Sequence, residues 1–97
     1  MWLLIDDTRD LGHMIARDAD TGLFLLRNLS GKLEGLMLDH DLGSGMSGYQ
    51  VLLIALEEHI LPDRVQLVTM NPVGRKSMEQ TLAANGYIKR GINWVKE

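Results

Sequence analysis

The chain has 97 residues and a mass of 10.9 kDa, enough for one domain over residues 1–97 and too little for a second core. Hydrophobic residues make up 45% and charged residues 24%, which excludes disorder as the main state, and the lack of cysteine excludes disulfide scaffolds, thiol catalysis and cysteine zinc sites. The net charge of −3 is uneven: residues 1–48 carry eight acids against four bases, and no Lys/Arg block or aromatic–basic interleaving points to general DNA or RNA binding.

Trp2–Asp6 is a short apolar run ending in two acids, and it reads as a strand buried on both faces. Thr8–Gly12 is a polar loop, and His13–Arg17 is a weaker strand candidate. Asp18 or Asp20 can cap a helix running to about Leu29, with Leu23, Phe24 and Leu26 as its apolar stripe. Leu36–Asp39 is a second strand that ends in acid, and Asp41–Met46 is a Gly/Ser loop. Ser47 and Gln50 fit a capping box, opening a helix to about Ile60 with Tyr49, Leu52, Leu53, Leu56 and Ile60 on one face. Pro62 stops it, and Arg64–Thr69 is a third buried strand. Asn71-Pro72 reads as N-cap and first residue of a helix that ends at Asn85-Gly86. Tyr87–Arg90 is a last strand, and Trp94 packs back on the body.

Apolar strands alternating with helices indicate an α/β fold with a mostly parallel sheet. Right-handed crossovers are expected to put helices on both faces. The longest apolar runs, Trp2–Ile5 and Val51–Leu56, fall far short of the ~18–20 residues that span a bilayer. Asp6 and Asp7 come too early for a signal peptide, so a cytoplasmic protein with no membrane partner is expected.

In such sheets, ligands bind beyond the carboxyl ends of the strands. Two acidic pairs fall there: Asp6 with Asp7, and Asp39 with Asp41, the latter flanking His40. Like charges that close raise one another's pKa unless a cation neutralises them. Carboxylates are hard oxygen ligands, so Mg²⁺ is the expected cofactor, with Mn²⁺ as its substitute. Strand alternation makes Asp6 and Asp7 diverge, which leaves open which of them is a ligand. His40 is a candidate acid/base or ligand, whereas His13 and His59 read as ordinary helix or edge residues. Thr69 ends the third strand and can offer a hydroxyl to a phosphoryl oxygen. Asn71-Pro72-Val73-Gly74-Arg75 combines a helix N-terminus with an arginine, a pattern suited to an anion. Arg9 can lie over the same pocket or pair with Asp10, and Lys89 or Arg90 can supply a late cation.

These residues together resemble a response-regulator receiver domain: acids at Asp6-Asp7, a central Asp39, Thr69 and a late Lys89. Asp6-Asp7-Thr8-Arg9, Leu38-Asp39-His40-Asp41-Leu42-Gly43 and Asn71-Pro72-Val73-Gly74-Arg75 are more specific. With them the chain resembles the cyclic-phosphate processing receiver domain family. That resemblance implies a compact receiver-like, flavodoxin-like fold acting on a cyclic phosphate, such as an RNA 2′,3′-cyclic end or a cyclic nucleotide. It implies metal ligands among Asp6, Asp7, Asp39 and Asp41. It implies phosphate contacts from Thr69, Asn71, Arg75, Arg9 and Lys89, with Asp39 and His40 catalytic. The chain departs from an ordinary receiver in having no room for a helix between the first two strands, Gly43-Ser44-Gly45 in place of a proline region, and no final helix.

Three functions follow. One is a metal-dependent phosphohydrolase or phosphodiesterase. Another is a phosphoacceptor switch at Asp39. A third is a non-catalytic module that binds a protein partner, for which six methionines provide an adaptable surface. A short chain of this kind also suits a phage origin.

Overall fold

The apolar runs read as strands become strands, and each capped amphipathic stretch becomes a helix. The computed structural model describes residues 1–43 and 45–97. Ser44, from the expected Gly43-Ser44-Gly45 loop, lies outside the described residues. The elements are β1 (Trp2–Ile5), β2 (Met14–Ala16), α1 (Ala19–Asn28), β3 (Gly35–Leu38), α2 (Gly48–Glu57), β4 (Arg64–Leu67), α3 (Pro72–Ala84), β5 (Tyr87–Arg90) and β6 (Asn93–Lys96).

Side chains cap all three helix starts. Asp18 accepts from the Thr21 N–H at 2.8 Å, and Asn71 Oδ1 accepts from the Gly74 N–H at 3.0 Å. Ser47 and Gln50 form the reciprocal capping box, at 2.9 and 3.3 Å. α2 ends at Glu57, two to three residues before the expected stop near Ile60. His59 there adopts a left-handed φ of 57°, which turns the chain out of the helix.

The six strands run in the order β2-β1-β3-β4-β6-β5. β2, β1, β3 and β4 are parallel, whereas β6 is antiparallel to both β4 and β5. The sequence pattern predicts one closing strand, Tyr87–Arg90. Instead a hairpin forms, turning at Gly91-Ile92, and its second arm enters beside β4. Trp94 lies on that arm and packs against the core, as expected.

All three helices lie on one face of the sheet, which corrects the expected two-faced arrangement. Alternate strand residues Leu3, Ile5, Leu36, Leu38, Val65 and Leu67 share one buried cluster with residues of α1, α2 and α3. α1 packs on α2, and α2 on α3. The physical reason is the direction of travel. The crossovers β2→β3, β3→β4 and β4→β5 all move the same way across the sheet, so right-handedness puts their helices on the same side. Among the connections between parallel strands only β1→β2 moves the other way, and it carries no helix. On that opposite face the Trp2 ring lies across Gly35, where a β-carbon would overlap it.

Two helix faces also differ from the sequence pattern. Phe24 is 62% exposed while Gly22, Leu23 and Leu26 are buried. Leu53 is 42% exposed while Val51, Leu52 and Ala55 are buried. At about 100° per residue, Phe24 and Leu53 turn away from the sheet that their neighbours face.

Candidate functional site

The site grows from the registry of three parallel strands. Ile5 sits opposite Leu38, and Leu38 opposite Leu67. The Asp39 N–H donates to Ile5 O and the Val68 N–H to Leu38 O, both at 3.0 Å. The next residues therefore leave the sheet at one level. Just beyond come Asp6, Asp39 and, past Val68, Thr69, all three buried, and with Tyr87 they are the only buried residues with polar or charged side chains among the described residues.

Asp6 is fully buried and densely hydrogen-bonded. Its Oδ1 accepts from the backbone N–H groups of Thr8 and Arg9, each at 2.9 Å. Its Oδ2 accepts from Arg9 Nη1 at 2.7 Å. Burial alone pushes its pKa up, but the hydrogen bonds from Arg9 and Thr8 and the Arg9 charge outweigh it, and the net shift is downward. Asp39 goes the other way. Burial first, then the nearby Asp6 charge, raises its pKa against the opposing Thr69 hydroxyl, His40 N–H and Arg9.

Asp7 is exposed, yet one carboxylate oxygen from each of Asp6, Asp7 and Asp39 falls within 4.8 Å of the others. Three hard oxygen donors at that spacing fit a divalent cation of the Mg²⁺ type. Arg9 Nη1 lies over the same group, 3.5 Å from Asp39 Oδ2, and supplies positive charge. Asp41 is exposed and outside this group of three.

Two glycines admit the helix starts to the site. A β-carbon at Gly48 would overlap the backbone carbonyl of Asp39, and one at Gly74 would overlap the His40 ring. Without those side chains, α2 and α3 both begin against Asp39-His40. The Gly48 N–H donates to His40 O at 2.7 Å. The His40 ring thus lies against the start of α3, with Nδ1 buried and, among the described residues, without a hydrogen-bond partner.

The remaining candidates are placed less centrally. Thr69 Oγ1 accepts from the Asn71 N–H at 3.0 Å, and the Asn71 side-chain oxygen is taken by its capping bond. Arg75 Nη2 donates to Leu67 O and Thr69 O at 3.2 and 2.9 Å. Lys89 lies on β5, two strands from β4, with its Nζ 3.7 Å from Glu79. The insertion of β6 is what separates it from the acids. Arg90 pairs with Glu97 at 3.0 Å.

Arg17 went unnoticed in the sequence. Its Nη1 donates to the carbonyls of Asp6 and Arg9, pinning the loop that carries Asp7 and Arg9. The only signal for it was a basic residue closing the strand beside β1.

A mostly parallel sheet with buried acids after its first and third sequence strands and a threonine after the next, each at a carboxyl end, defines a receiver-like domain. Beside these lie the histidine after Asp39 and the Asn-Pro start of α3 with its arginine. Residues 1–84 match the cyclic-phosphate processing receiver domain, and the chain belongs to that family. No curated protein and no solved structure matches it. The β5–β6 hairpin lies beyond the matched residues. No helix among the described residues is long and apolar enough to cross a membrane.

Proposed function

We propose that this domain hydrolyses a cyclic phosphate, an RNA 2′,3′-cyclic end or a cyclic nucleotide, in a metal-dependent reaction at Asp6, Asp7 and Asp39. The observation that carries this reading is the convergence of those three carboxylates, with Thr69 beside Asp39. Asp6, Asp7 and Asp39 would hold Mg²⁺ or Mn²⁺, which supplies charge neutralisation at the phosphate when bound. The Thr69 hydroxyl and the Arg9 guanidinium bind non-bridging phosphate oxygens. In the reaction, water adds to phosphorus and one ring P–O bond breaks. The water proton is lost to base, and the released oxygen takes a proton, leaving a phosphomonoester. His40, which follows Asp39 in the chain, is the proton carrier in this reading.

The test is turnover of a panel of nucleoside 2′,3′-cyclic and 3′,5′-cyclic phosphates with Mg²⁺ or Mn²⁺. Asp39→Asn should abolish product while the variant still melts cooperatively. His40→Gln should lower the rate by about 10²–10⁴-fold. Turnover that survives Asp39→Asn refutes the assignment. A protein inert on the whole panel that gains one phosphoryl group from a small phosphodonor is instead an Asp39 switch. One inert to both, and with no melting response to metal, is a protein-binding module.

A further inference from the structure

We propose that a second phosphate group of the substrate is held between Arg75 and Lys89, in the cleft that the β5–β6 hairpin forms with the start of α3. This rests on the reading that the acidic pocket takes the reacting phosphate. The cleft has a volume of about 200 Å³ and is lined by Gln66, Leu67, Arg75, Lys89, Ile92 and Trp94, with Gly91 at the turn. Both charged residues in that lining are cations. A whole ligand usually needs ~300 Å³ or more, so the space suits one group of a ligand seated mainly elsewhere.

Its origin lies in how the sheet ends. Pairing of β4 with β6 stops at Arg64 and Val65. The Val68 N–H turns toward β3, so the carbonyls of Leu67 and Thr69 face the other way, toward the hairpin, with no strand to meet them. Arg75 Nη2 donates to both. One nitrogen is thereby committed, and the guanidinium is fixed in place. Its Nε and Nη1 make no hydrogen bond among the described residues. A guanidinium held this way is preorganised for a phosphate.

Lys89 comes from the opposite wall. It pairs across the hairpin with Trp94 and shares that residue's face of the sheet. Its ion pair with Glu79 is long, at 3.7 Å, and the lysine side chain is 55% exposed, so the ammonium is readily drawn to a stronger partner. The cleft also adjoins the acidic pocket. Arg75 holds the Thr69 carbonyl, and Thr69 lies close enough to Asp39 for its hydroxyl to favour the Asp39 carboxylate. A ligand with one phosphate at Asp39 thus meets Arg75 next. Lys89, Ile92 and Trp94 lie outside the family-matched segment, so this selectivity belongs to the chain's own hairpin.

The experiment is calorimetric titration, in Mg²⁺, of adenosine 3′-monophosphate and adenosine 3′,5′-bisphosphate into wild type, Lys89→Met and Lys89→Arg. The readout is the ratio of the two dissociation constants. Wild type should favour the bisphosphate by about tenfold, the size of one charge-assisted phosphate contact. Lys89→Met should collapse that ratio to about one, with an unchanged melting temperature, and Lys89→Arg should keep it. Equal affinities in wild type, or a ratio that survives Lys89→Met, overturns the second-phosphate site while the acidic pocket stands. If neither nucleotide binds wild type, both readings fall together.

Discussion

Arg9 grips both oxygens of Asp6, through its backbone N–H at 2.9 Å and its Nη1 at 2.7 Å. The same nitrogen stops 3.5 Å from Asp39. Asp6 is therefore kept ionised by the protein itself, and the positive charge beside Asp39 comes from a side chain that is one-third exposed. The pocket has an internal counter-ion on a loop, positioned where a divalent cation would act.

Arg9→Met should consequently separate these two charges. Removing the guanidinium leaves Asp6 and Asp39 facing each other without compensation. The expected loss is about 1–3 kcal/mol, below the usual figure for breaking a fully buried pair because water reaches Arg9. Added Mg²⁺ or Mn²⁺ should then restore more stability to the variant than it adds to wild type. Thermal melts with EDTA and with millimolar metal check this. A metal response that is smaller in the variant shows that Arg9 helps the cation rather than stands in for it.

Asp39→Asn should act oppositely in metal-free protein. A carboxyl whose folded pKa is raised gives its full stability below the unfolded value of 3.8, and loses it as pH rises through the folded pKa. At neutral pH the ionised Asp39 is thus a burden, and the amide should melt higher in EDTA. The difference should shrink as pH falls toward 4. Asp6 has a lowered pKa, so its contribution is present above 3.8 and lost below it, and both proteins should weaken there. Melts in EDTA between pH 7 and pH 3 trace both limbs. A variant less stable than wild type at pH 7 contradicts the assigned balance.

The two glycines at the site should differ sharply on substitution. At Gly48 the obstacle is the Asp39 backbone, which cannot step aside. Gly48→Ala should cost about 3 kcal/mol, at the upper end of overpacking. At Gly74 the obstacle is the His40 ring, which can rotate, and alanine adds helix propensity. Gly74→Ala should cost about 1 kcal/mol or less in urea unfolding, yet displace His40. Its signature is a perturbed imidazole resonance in a protein of near-normal stability. Equal losses at the two positions would show that the His40 ring is as rigid as backbone.

The acidic ends of β1 and β3 were legible because a fully apolar run that switches to Asp leaves few alternatives. The caps at Ser47 and Asn71 were legible for a similar reason, since each depends on residues two or three apart. What escaped depends on partners far along the chain. β6 is Asn-Trp-Val-Lys, with no apolar periodicity, and becomes a strand only by pairing with β4. That pairing moves β5 outward and takes Lys89 away from the acids. Arg17 was equally hidden, because its role is fixed by two carbonyls on another segment. Phe24 and Leu53 fit the apolar stripes of their helices by spacing, but only the position of the sheet decides which flank of a helix is buried.

The alkaline limb offers a test remote from the acidic pocket. Tyr87 begins β5, is 4% exposed, and donates its hydroxyl to Pro62 O at 2.8 Å. Burial, with help from the Asp63 charge, pushes its pKa up to about 12. A raised pKa means that the folded state holds the proton more tightly than the unfolded chain. The stability this contributes is intact below the ordinary phenol value of 10.0 and is lost as pH rises toward 12. At about 1.4 kcal/mol per unit, the loss is roughly 2–3 kcal/mol. Tyr87→Phe has no proton to lose. It should start about 1 kcal/mol less stable at pH 7, for want of the Pro62 hydrogen bond, and then show a flatter profile between pH 10 and 12. Urea midpoints across that range decide it. Parallel profiles for the two proteins would mean that the phenol ionises without leaving its place.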